Sequence, residues 1–341
     1  MKENTEINIV YTMDDNFAMQ AGVSLVSMFE NNQQFLFHVY ILSDNIQDSN
    51  KEKLVSLVKR YDNLIDIIEM PDVEQISGVS LSICEYPRSA YARLFLCELL
   101  PDHIDTLLYL DPDTIITSGI DYLVEVMNSK EFKEVCAAAC IDSISYFKRL
   151  CGFKRAEKYY NSGVMLINLS YWRKKEIQAL FIDEVKRREG KSIGDADQSF
   201  INSILIKRIM TLPAKYNVMS FYYSEYYVFL KKSGLSAEET YPKNEIKEAV
   251  KNPVIIHFAG NNENRPWYVN CNHSRKDDWM NYLSMSEWKD FVPVEKAPAG
   301  DYSFIVKFRK KIVRYMIKKN ILFAKLYTKF KYGFEIKLYR N

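Results

Sequence analysis

Short apolar runs alternate with longer segments of helical period along the first half of this chain. Ile7 to Tyr11 reads as a strand, Thr12 to Phe17 as a polar loop, and Ala18 to Phe29 as a helix. Phe35 to Leu42 is a second strand. The helix after it carries Ser49 and Glu52 at capping-box spacing, with Leu54, Val55, Leu57 and Val58 on its inner face. Leu64 to Glu69 is a third strand. Strands separated by helices predict right-handed βαβ units, hence an α/β fold with a Rossmann-like, mainly parallel sheet flanked by helices. Ser89 to Leu100 then reads as a helix stopped by Pro101, and Leu107 to Leu110 as a fully buried strand. A helix or turn is expected over Ile120 to Met127, strands over Val135 to Ile141 and Tyr159 to Asn168, and helices over Tyr171 to Arg188 and Ser199 to Ile206. Pro253 to Phe258 is the last core strand.

Polar side chains gather where these strands end, which is where open α/β sheets bind ligands. Asp111-Pro112-Asp113 follows the buried strand. Proline fixes its own φ and pushes Asp111 toward extended backbone, so the two carboxylates leave the chain on one side. Paired hard oxygens suit Mg²⁺ or Mn²⁺ carrying a polyphosphate; an acidic turn after a core strand has the same signature. Asp142 is a second strand-end carboxylate. In the first loop, Asp14 and Asn16 suit hydrogen bonds to a base or ribose and Phe17 offers a stacking face, although an ordinary acidic turn reads alike. The loop has no glycine-rich dinucleotide fingerprint. Arg93 fits either a structural ion pair or a hold on phosphate or an active-site carboxylate. Asp197 fits a helix N-cap or a sugar-binding role. His257 fits a packed core histidine or a third metal ligand.

Charge divides the chain in two. The 46 basic and 44 acidic residues fall as 34 and 42 in the first 300 positions and as 12 and 2 in residues 301–341, giving a body of −8 and a tail of +10. In the tail Phe304, Ile305, Phe308, Ile312, Tyr315 and Met316 recur at helical spacing among lysines and arginines. That pattern predicts a basic amphipathic extension lying on an anionic membrane surface. A division into residues 1–290 and 291–341 follows, with Pro293 and Pro298-Ala299-Gly300 near the boundary. Nucleic acid is not expected as a partner, because the body is acidic. The six cysteines show no C-x-x-C spacing and read as reduced thiols. With no apolar signal core and no spanning run, the expected location is the cytoplasm, on the inner face of the cell membrane.

Six motifs occur in order: Tyr-Thr-Met-Asp-Asp-Asn-Phe (11–17), Tyr-Ala-Arg-Leu (91–94), Leu-Tyr-Leu-Asp-Pro-Asp (108–113), Tyr-Asn-Ser-Gly-Val-Met-Leu-Ile-Asn (160–168), Asp-Gln (197–198) and His-Phe-Ala-Gly…Arg-Pro-Trp (257–267). In this order the chain, over roughly residues 7 to 285, resembles the retaining GT-A glycosyltransferases of family eight, the group of bacterial lipopolysaccharide galactosyl- and glucosyltransferases and, more distantly, glycogenin. The resemblance implies Mn²⁺, with Mg²⁺ as the alternative, held by Asp111, Asp113 and His257 together with a UDP-sugar donor. It implies uridine at Thr12, Asp14, Asn16 and Phe17, the transferred sugar at Arg93, Asp142, Asn161, Asp197 and Gln198, and the diphosphate passing close to Gly260. Arg265 departs from the pattern: it stands eight residues after His257, where many relatives have lysine after six.

The implied reaction moves a hexose, galactose or glucose, from UDP to a hydroxyl of a cell-envelope glycan or lipid-linked acceptor with retention of configuration. Gln198 occupies the position of a nucleophile in a two-step route, but an amide is a poor nucleophile, which favours same-face attack. Two other readings stay open: a transferase acting on protein or on itself, for which the 24 tyrosines offer acceptors, and an inactive UDP-sugar-binding scaffold at a membrane.

Overall fold

The computed structural model describes residues 6–71, 78, 88–143, 157–187, 196–223, 240–260 and 262–295. The expected extension at 301–341 lies outside the described residues, as do Cys84, Cys151 and most of the aromatic-rich stretch 221–229. Strands β1 (Glu6–Asp14), β2 (Leu36–Asp44) and β3 (Leu64–Glu69) alternate with helices α1 (Ala18–Asn31) and α2 (Asp48–Arg60). A broken helical segment, α3 (Arg88–Ala92), a 3₁₀ turn (Arg93–Phe95) and α4 (Leu96–Leu99), leads to β4 (Thr106–Leu110) and β5 (Thr114–Ile116). Helices α5 (Asp121–Asn128) and α6 (Lys130–Lys133) precede β6 (Ala137–Ile141) and β7 (Tyr160–Asn168). Then come α7 (Leu169–Lys174), α8 (Ile177–Arg187), α9 (Ala196–Leu205), β8 (Ile209–Thr211), β9 (Val218–Met219), α10 (Lys243–Lys251), β10 (Ile255–His257) and α11 (Lys276–Ser284).

Seven strands form one sheet in the order β3-β2-β1-β4-β7-β6-β8. Pairing is parallel except where β7 runs antiparallel to β4 and β6, so the sheet is mainly parallel, as expected. Every residue of β6 and β7 is buried, which explains their continuous apolar or small-residue sequences. A second sheet, β5-β10-β9, stands at the end of β4. Its β5 went unread in the sequence because three residues directly after a turn carry no period of their own. It exists through pairing with β10, where His257 faces Thr114. This pairing brings a histidine from late in the chain to the Asp111-Pro112-Asp113 turn, and Phe258 N donates to Asp113 O at 2.9 Å.

Local details differ from expectation, beginning with the helix expected over Ser89–Leu100, which the 3₁₀ turn at Arg93–Phe95 breaks in two. β1 runs on to Asp14, so Thr12 belongs to a strand rather than a loop. The capping box at Ser49 and Glu52 does not form: α2 starts at Asp48 after Gln47, and the carboxylate of Asp15 takes the Gln47 N–H at 2.9 Å instead. The helix expected over 171–188 is two helices, with Glu176 at φ 49° in the corner between them. Asp197 sits inside the first turn of α9 and is not its N-cap. Cys136 and Cys140 are buried free thiols, and Cys97 and Cys271 are also free.

Candidate active site

The C-terminal end of β4 carries Asp111 and Asp113, and β10 delivers His257 to them. One ligand atom from each lies within 4.8 Å of the others. His257 Nε2 stands 3.1 Å from Asp113 Oδ1 and 3.8 Å from Asp111 Oδ2. An imidazole nitrogen and two carboxylate oxygens at this spacing are a donor set that fits Mn²⁺ or a similar divalent ion. Gly163, on β7 beside Asp111, leaves the room: a Cβ there would lie 2.4 Å from His257 Cε1 and 2.6 Å from Asp111 Oδ2. No larger residue fits unless those two side chains move.

Buried ionic contacts hold the carboxylates. Arg93, projected from the 3₁₀ break, donates Nη2 to Asp111 Oδ1 at 2.9 Å and Nη1 to Ser162 O at 2.7 Å. Its Nε lies 3.1 Å from Asp197 Oδ2, but the N–H is directed to Ala90 O, so this contact is coulombic and Asp197 Oδ2 has no aligned donor among the described residues. Burial opposes the charge of Arg93, and Asp111 and Asp197 outweigh it, raising its affinity for the proton. Burial pushes Asp197 up to about 6 against the pull of Arg93. Burial also acts to raise Asp113, but His257 and then Arg265 hold it below the usual carboxylate range. For His257 burial acts to lower and the two aspartates win, so it is raised.

A line of buried amides runs away from the histidine. Asn217 Nδ2 donates to Asn161 Oδ1 at 2.7 Å, so its Oδ1, 3.1 Å from His257 Nδ1, accepts from the ring. With Nδ1 donating to Asn217, Nε2 faces the aspartates: without metal it holds a proton toward Asp113, and once that proton is lost its lone pair is in the tautomer a metal ligand requires. Asn161 Nδ2 donates to Gln198 Oε1, and Gln198 Nε2 donates to Asp142 Oδ2, each at 3.0 Å. Gln198 Oε1 accepts a second bond from Ser162 N at 3.0 Å. Asp142, Gln198, Asn161 and His257, named separately from sequence, are thus parts of one hydrogen-bonded chain.

At the neighbouring strand end, Tyr109 Oη donates to Asp111 Oδ1 at 3.2 Å, which leaves Thr12 Oγ1 as the donor to Tyr109 at 2.7 Å. Arg93 lies over the Tyr109 ring, 4.3 Å from its centroid. Asp14 and Asn16 bond to each other: Asp14 Oδ1 accepts from Asn16 N at 3.0 Å and its Oδ2 from Asn16 Nδ2 at 3.2 Å. Phe17 packs against both apolar clusters of the protein. Gly260 is at φ 99°, in left-handed backbone that glycine tolerates best. Arg265 Nη2 is 3.9 Å from Asp113 Oδ2, and its Nε is buried without a hydrogen-bond partner among the described residues. The two-residue insertion therefore still leaves a cation beside the acidic pair.

Sequence reasoning passed over Tyr109, Asn217 and the spatial role of Gly163. Tyr109 precedes Asp111 by two on a strand and so shares its face, a signal that was available. Asn217, which the sequence places in an extended segment from Leu212, instead closes the 3₁₀ turn Ala214–Tyr216 just before β9, and no period singles it out.

Comparison with known proteins identifies the family and the fold. The family model described as Glycosyl transferase family 8 matches residues 8–271. A lipopolysaccharide 1,2-glucosyltransferase of Escherichia coli is 28% identical over 302 residues, 87% of this chain and 83% of that protein. General stress protein A of Bacillus subtilis (strain 168) is 26% identical, covering 84% of this chain and 96% of its own. A lipopolysaccharide 1,3-galactosyltransferase of Salmonella typhimurium is 24% identical over 77% of this chain and 73% of its own. Among solved structures, the galactosyltransferase LgtC in complex with donor and acceptor sugar analogs superposes with a TM-score of 0.67 at 22% identity, covering 84% of this chain and all of that one.

Proposed function

The chain belongs to glycosyl transferase family 8 and is a glycosyltransferase, and on that footing we propose that it moves galactose or glucose from a UDP-sugar, with a divalent metal and with retention, to a hydroxyl of a cell-envelope glycan or lipid-linked acceptor. The observation that carries the reading is the set Asp111, Asp113 and His257, converging within 4.8 Å at a strand end. Relatives named for glucosyl and galactosyl transfer to lipopolysaccharide support a hexose and an envelope acceptor.

A metal bound by these three residues, Mn²⁺ or Mg²⁺, supplies positive charge to the departing diphosphate. Around it the protein's own groups divide the work. Asp14 and Asn16 present donors and acceptors to uracil or ribose, Thr12 ties their strand to Tyr109, and Phe17 offers an apolar face. Arg265 brings a planar fork, with a buried unpartnered Nε–H, to a leaving phosphate. Gly260 lets the backbone approach the diphosphate. Arg93, Asp142, Asn161, Asp197 and Gln198 hold the hexose hydroxyls. Both ends of the Gln198 amide are engaged, with Oε1 accepting two bonds. That saturation weakens an already poor nucleophile further and supports same-face attack by the acceptor hydroxyl.

Incubation with Mn²⁺ and a panel of UDP-sugars, followed by UDP release, tests the reading. One UDP-hexose is expected to be hydrolysed or transferred far faster than the rest, and only with metal. Metal-independent release, or none from any donor, overturns it.

The location proposed is the cytoplasmic face of the membrane, with the basic residues 301–341 as a separable anchor to anionic lipid; the boundary expected at 291 falls too early, because Phe291 and Val294 pack and hydrogen-bond against the body. No helix among the described residues is long and apolar enough to cross a membrane. The charge of +10 in residues 301–341 supports surface attraction that weakens as salt rises. Deleting residues 301–341 is expected to abolish sedimentation with anionic vesicles while activity on a soluble acceptor persists; a full-length protein that ignores such vesicles at low salt removes the anchor from the proposal.

A further inference from the structure

Residues 276–295 lie beyond the stretch matched by the family model, yet they fold back onto the N-terminal half. Arg60 Nη1 pairs with Glu287 at 2.9 Å, and Arg60 Nη2 donates to Met285 O at 2.6 Å. Trp288, just past α11, lays its ring on Gly22 of α1. A Cβ on residue 22 would stand 2.3 Å from a ring carbon, so this seat requires glycine. The Lys53 ammonium caps the same ring at 5.4 Å from its centroid. Trp288 Nε1 donates to Asn50 Oδ1 at 3.2 Å, and Asn50 Nδ2 donates to Asp15 Oδ1 at 2.8 Å. Asp15 stands between Asp14 and Asn16.

Phe17 anchors one end of the 3₁₀ turn Asp15–Phe17 by packing, part-buried, against both apolar clusters, but Asp15 and Asn16 have no such packing, so side-chain ties supply their order. Asp15 is tied twice, to Gln47 N and to Asn50, and Asn50 uses both ends of its amide at once. Removing the indole N–H frees the amide to rotate, and the carboxylate then loses a fixed donor.

We infer that Trp288, Asn50 and Asp15 form a keyed contact by which the C-terminal strap holds the nucleotide turn in its binding conformation, making Trp288 and Asn50 positioning residues for the donor. The inference rests on the reading of Asp14 and Asn16 as uridine-binding residues. Neither Trp288 nor Asn50 is assigned a contact with the nucleotide; their effect passes through Asp15. A chain that lacks the strap but keeps the family core has to order its turn by other means.

The test measures UDP affinity by calorimetry with saturating Mn²⁺, together with kcat, KM and Tm, in Trp288→Phe, Asn50→Ala, the double variant and Asn16→Ala. Trp288→Phe keeps a ring on Gly22 and removes only the N–H. Each relay variant is expected to weaken UDP about 3- to 10-fold, the worth of roughly one net hydrogen bond. The accompanying changes are a raised KM, kcat held within about twofold and Tm lowered by no more than about 4 °C, since both residues are part-buried and each change removes roughly one net hydrogen bond. The double variant is expected to bind UDP no more weakly than Asn50→Ala, because the two residues act as one unit. Unchanged affinity in Asn50→Ala, additive losses, or losses that follow Tm overturn the relay and leave the strap a structural element. If Asn16→Ala binds UDP as wild type does, the uridine assignment itself fails and the relay falls with it. If Asn16→Ala weakens binding and the relay variants do not, the relay alone is wrong.

Discussion

The turn at residues 14–17 and the charged centre at Asp111, Asp113 and His257 stand at the ends of neighbouring parallel strands, β1 and β4, but are built in opposite ways. In the turn, Asp14 caps Asn16 two residues on, and Asn16 is exposed. In the centre the ion pairs join residues from separate elements, and Arg93, Asp113 and His257 are all buried. Water can compensate a polar group lost from the turn. It cannot do so in the centre, where each charge is balanced by another and removing one leaves its partner buried and unpaired. Damage at Asp14 or Asn16 should therefore stay local, whereas damage in the centre should spread; Asp15, tied to Gln47 and Asn50, is the turn's one long-range link.

The largest effect is expected for Gly163→Ala. The added methyl must displace His257 or Asp111. Misplacing reacting groups by an ångström costs about 10²-fold, and overpacking a buried site costs about 1–3 kcal/mol of stability. Transfer and Mn²⁺ binding should fall together. Wild-type activity in this variant would show that the chemistry lies elsewhere and that the contrast drawn here has no functional meaning.

Next comes Asp197→Asn. A carboxyl raised to about 6 in the fold stabilises the native state below its unfolded value of 3.8, and that contribution is lost as pH rises through 6. From this group alone, metal-free wild type should lose on the order of 2–3 kcal/mol between pH 4 and pH 8, at 1.36 kcal/mol per unit. Urea unfolding curves of wild type and variant should therefore shift relative to each other across that range in favour of the variant. A constant difference would mean that Arg93 compensates Asp197 fully.

Asn217→Ala should follow, with Mn²⁺ affinity reduced about 10- to 100-fold, as for other partners that orient a ligating histidine. In wild type, Mn²⁺ affinity should rise with pH, because the raised His257 must lose its proton to bind metal. The same proton stabilises the metal-free fold below 6.5 and ceases to do so as pH climbs through the raised value. Titration of Mn²⁺ by electron paramagnetic resonance at several pH values reads both effects. An unchanged affinity in Asn217→Ala would show that the tautomer of His257 is set without it.

The same contrast governs what could be read from sequence. The β1-α1-β2-α2-β3 half was legible because local period and strand length specify it. The Asp-Pro-Asp turn was legible because proline and the i, i+2 spacing act within three residues. β5 was not, since its three residues become a strand only by pairing with β10, and the split at Glu176 was not, since one left-handed residue leaves no mark on a helical period. Among candidate site residues, identity outran connection: His257 and Gln198 could be named singly, but Asn161 and Asn217, which join them, bond across 37 and 56 positions respectively. Arg93 shows the limit from the other side. Its two readings, structural ion pair and active-site hold, meet in one contact, because the carboxylate it pairs with is Asp111, a member of the candidate metal-binding set.

The smallest effects, and the sharpest use of the comparison, belong to the turn. Asn16 is exposed, and its backbone N–H and side-chain amide both bond within its own turn, to Asp14. Replacing it with alanine keeps the backbone N–H that Asp14 caps and removes only the side-chain amide. Folding stability should change by no more than about 0.5 kcal/mol, as for surface substitutions in general. UDP affinity should fall roughly 3- to 10-fold if the amide donates to or accepts from the base, about one hydrogen bond's worth. Asp14→Ala removes the acceptor for Asn16 N as well, so it should cost about 1 kcal/mol of stability in addition, the usual worth of a lost cap. Chemical denaturation and UDP calorimetry on the two variants separate these contributions. Were Asn16→Ala to destabilise the fold by as much as Asp14→Ala, the turn would be coupled to the interior as tightly as the centre is, and the division between a locally built nucleotide turn and a globally built charged centre would not hold.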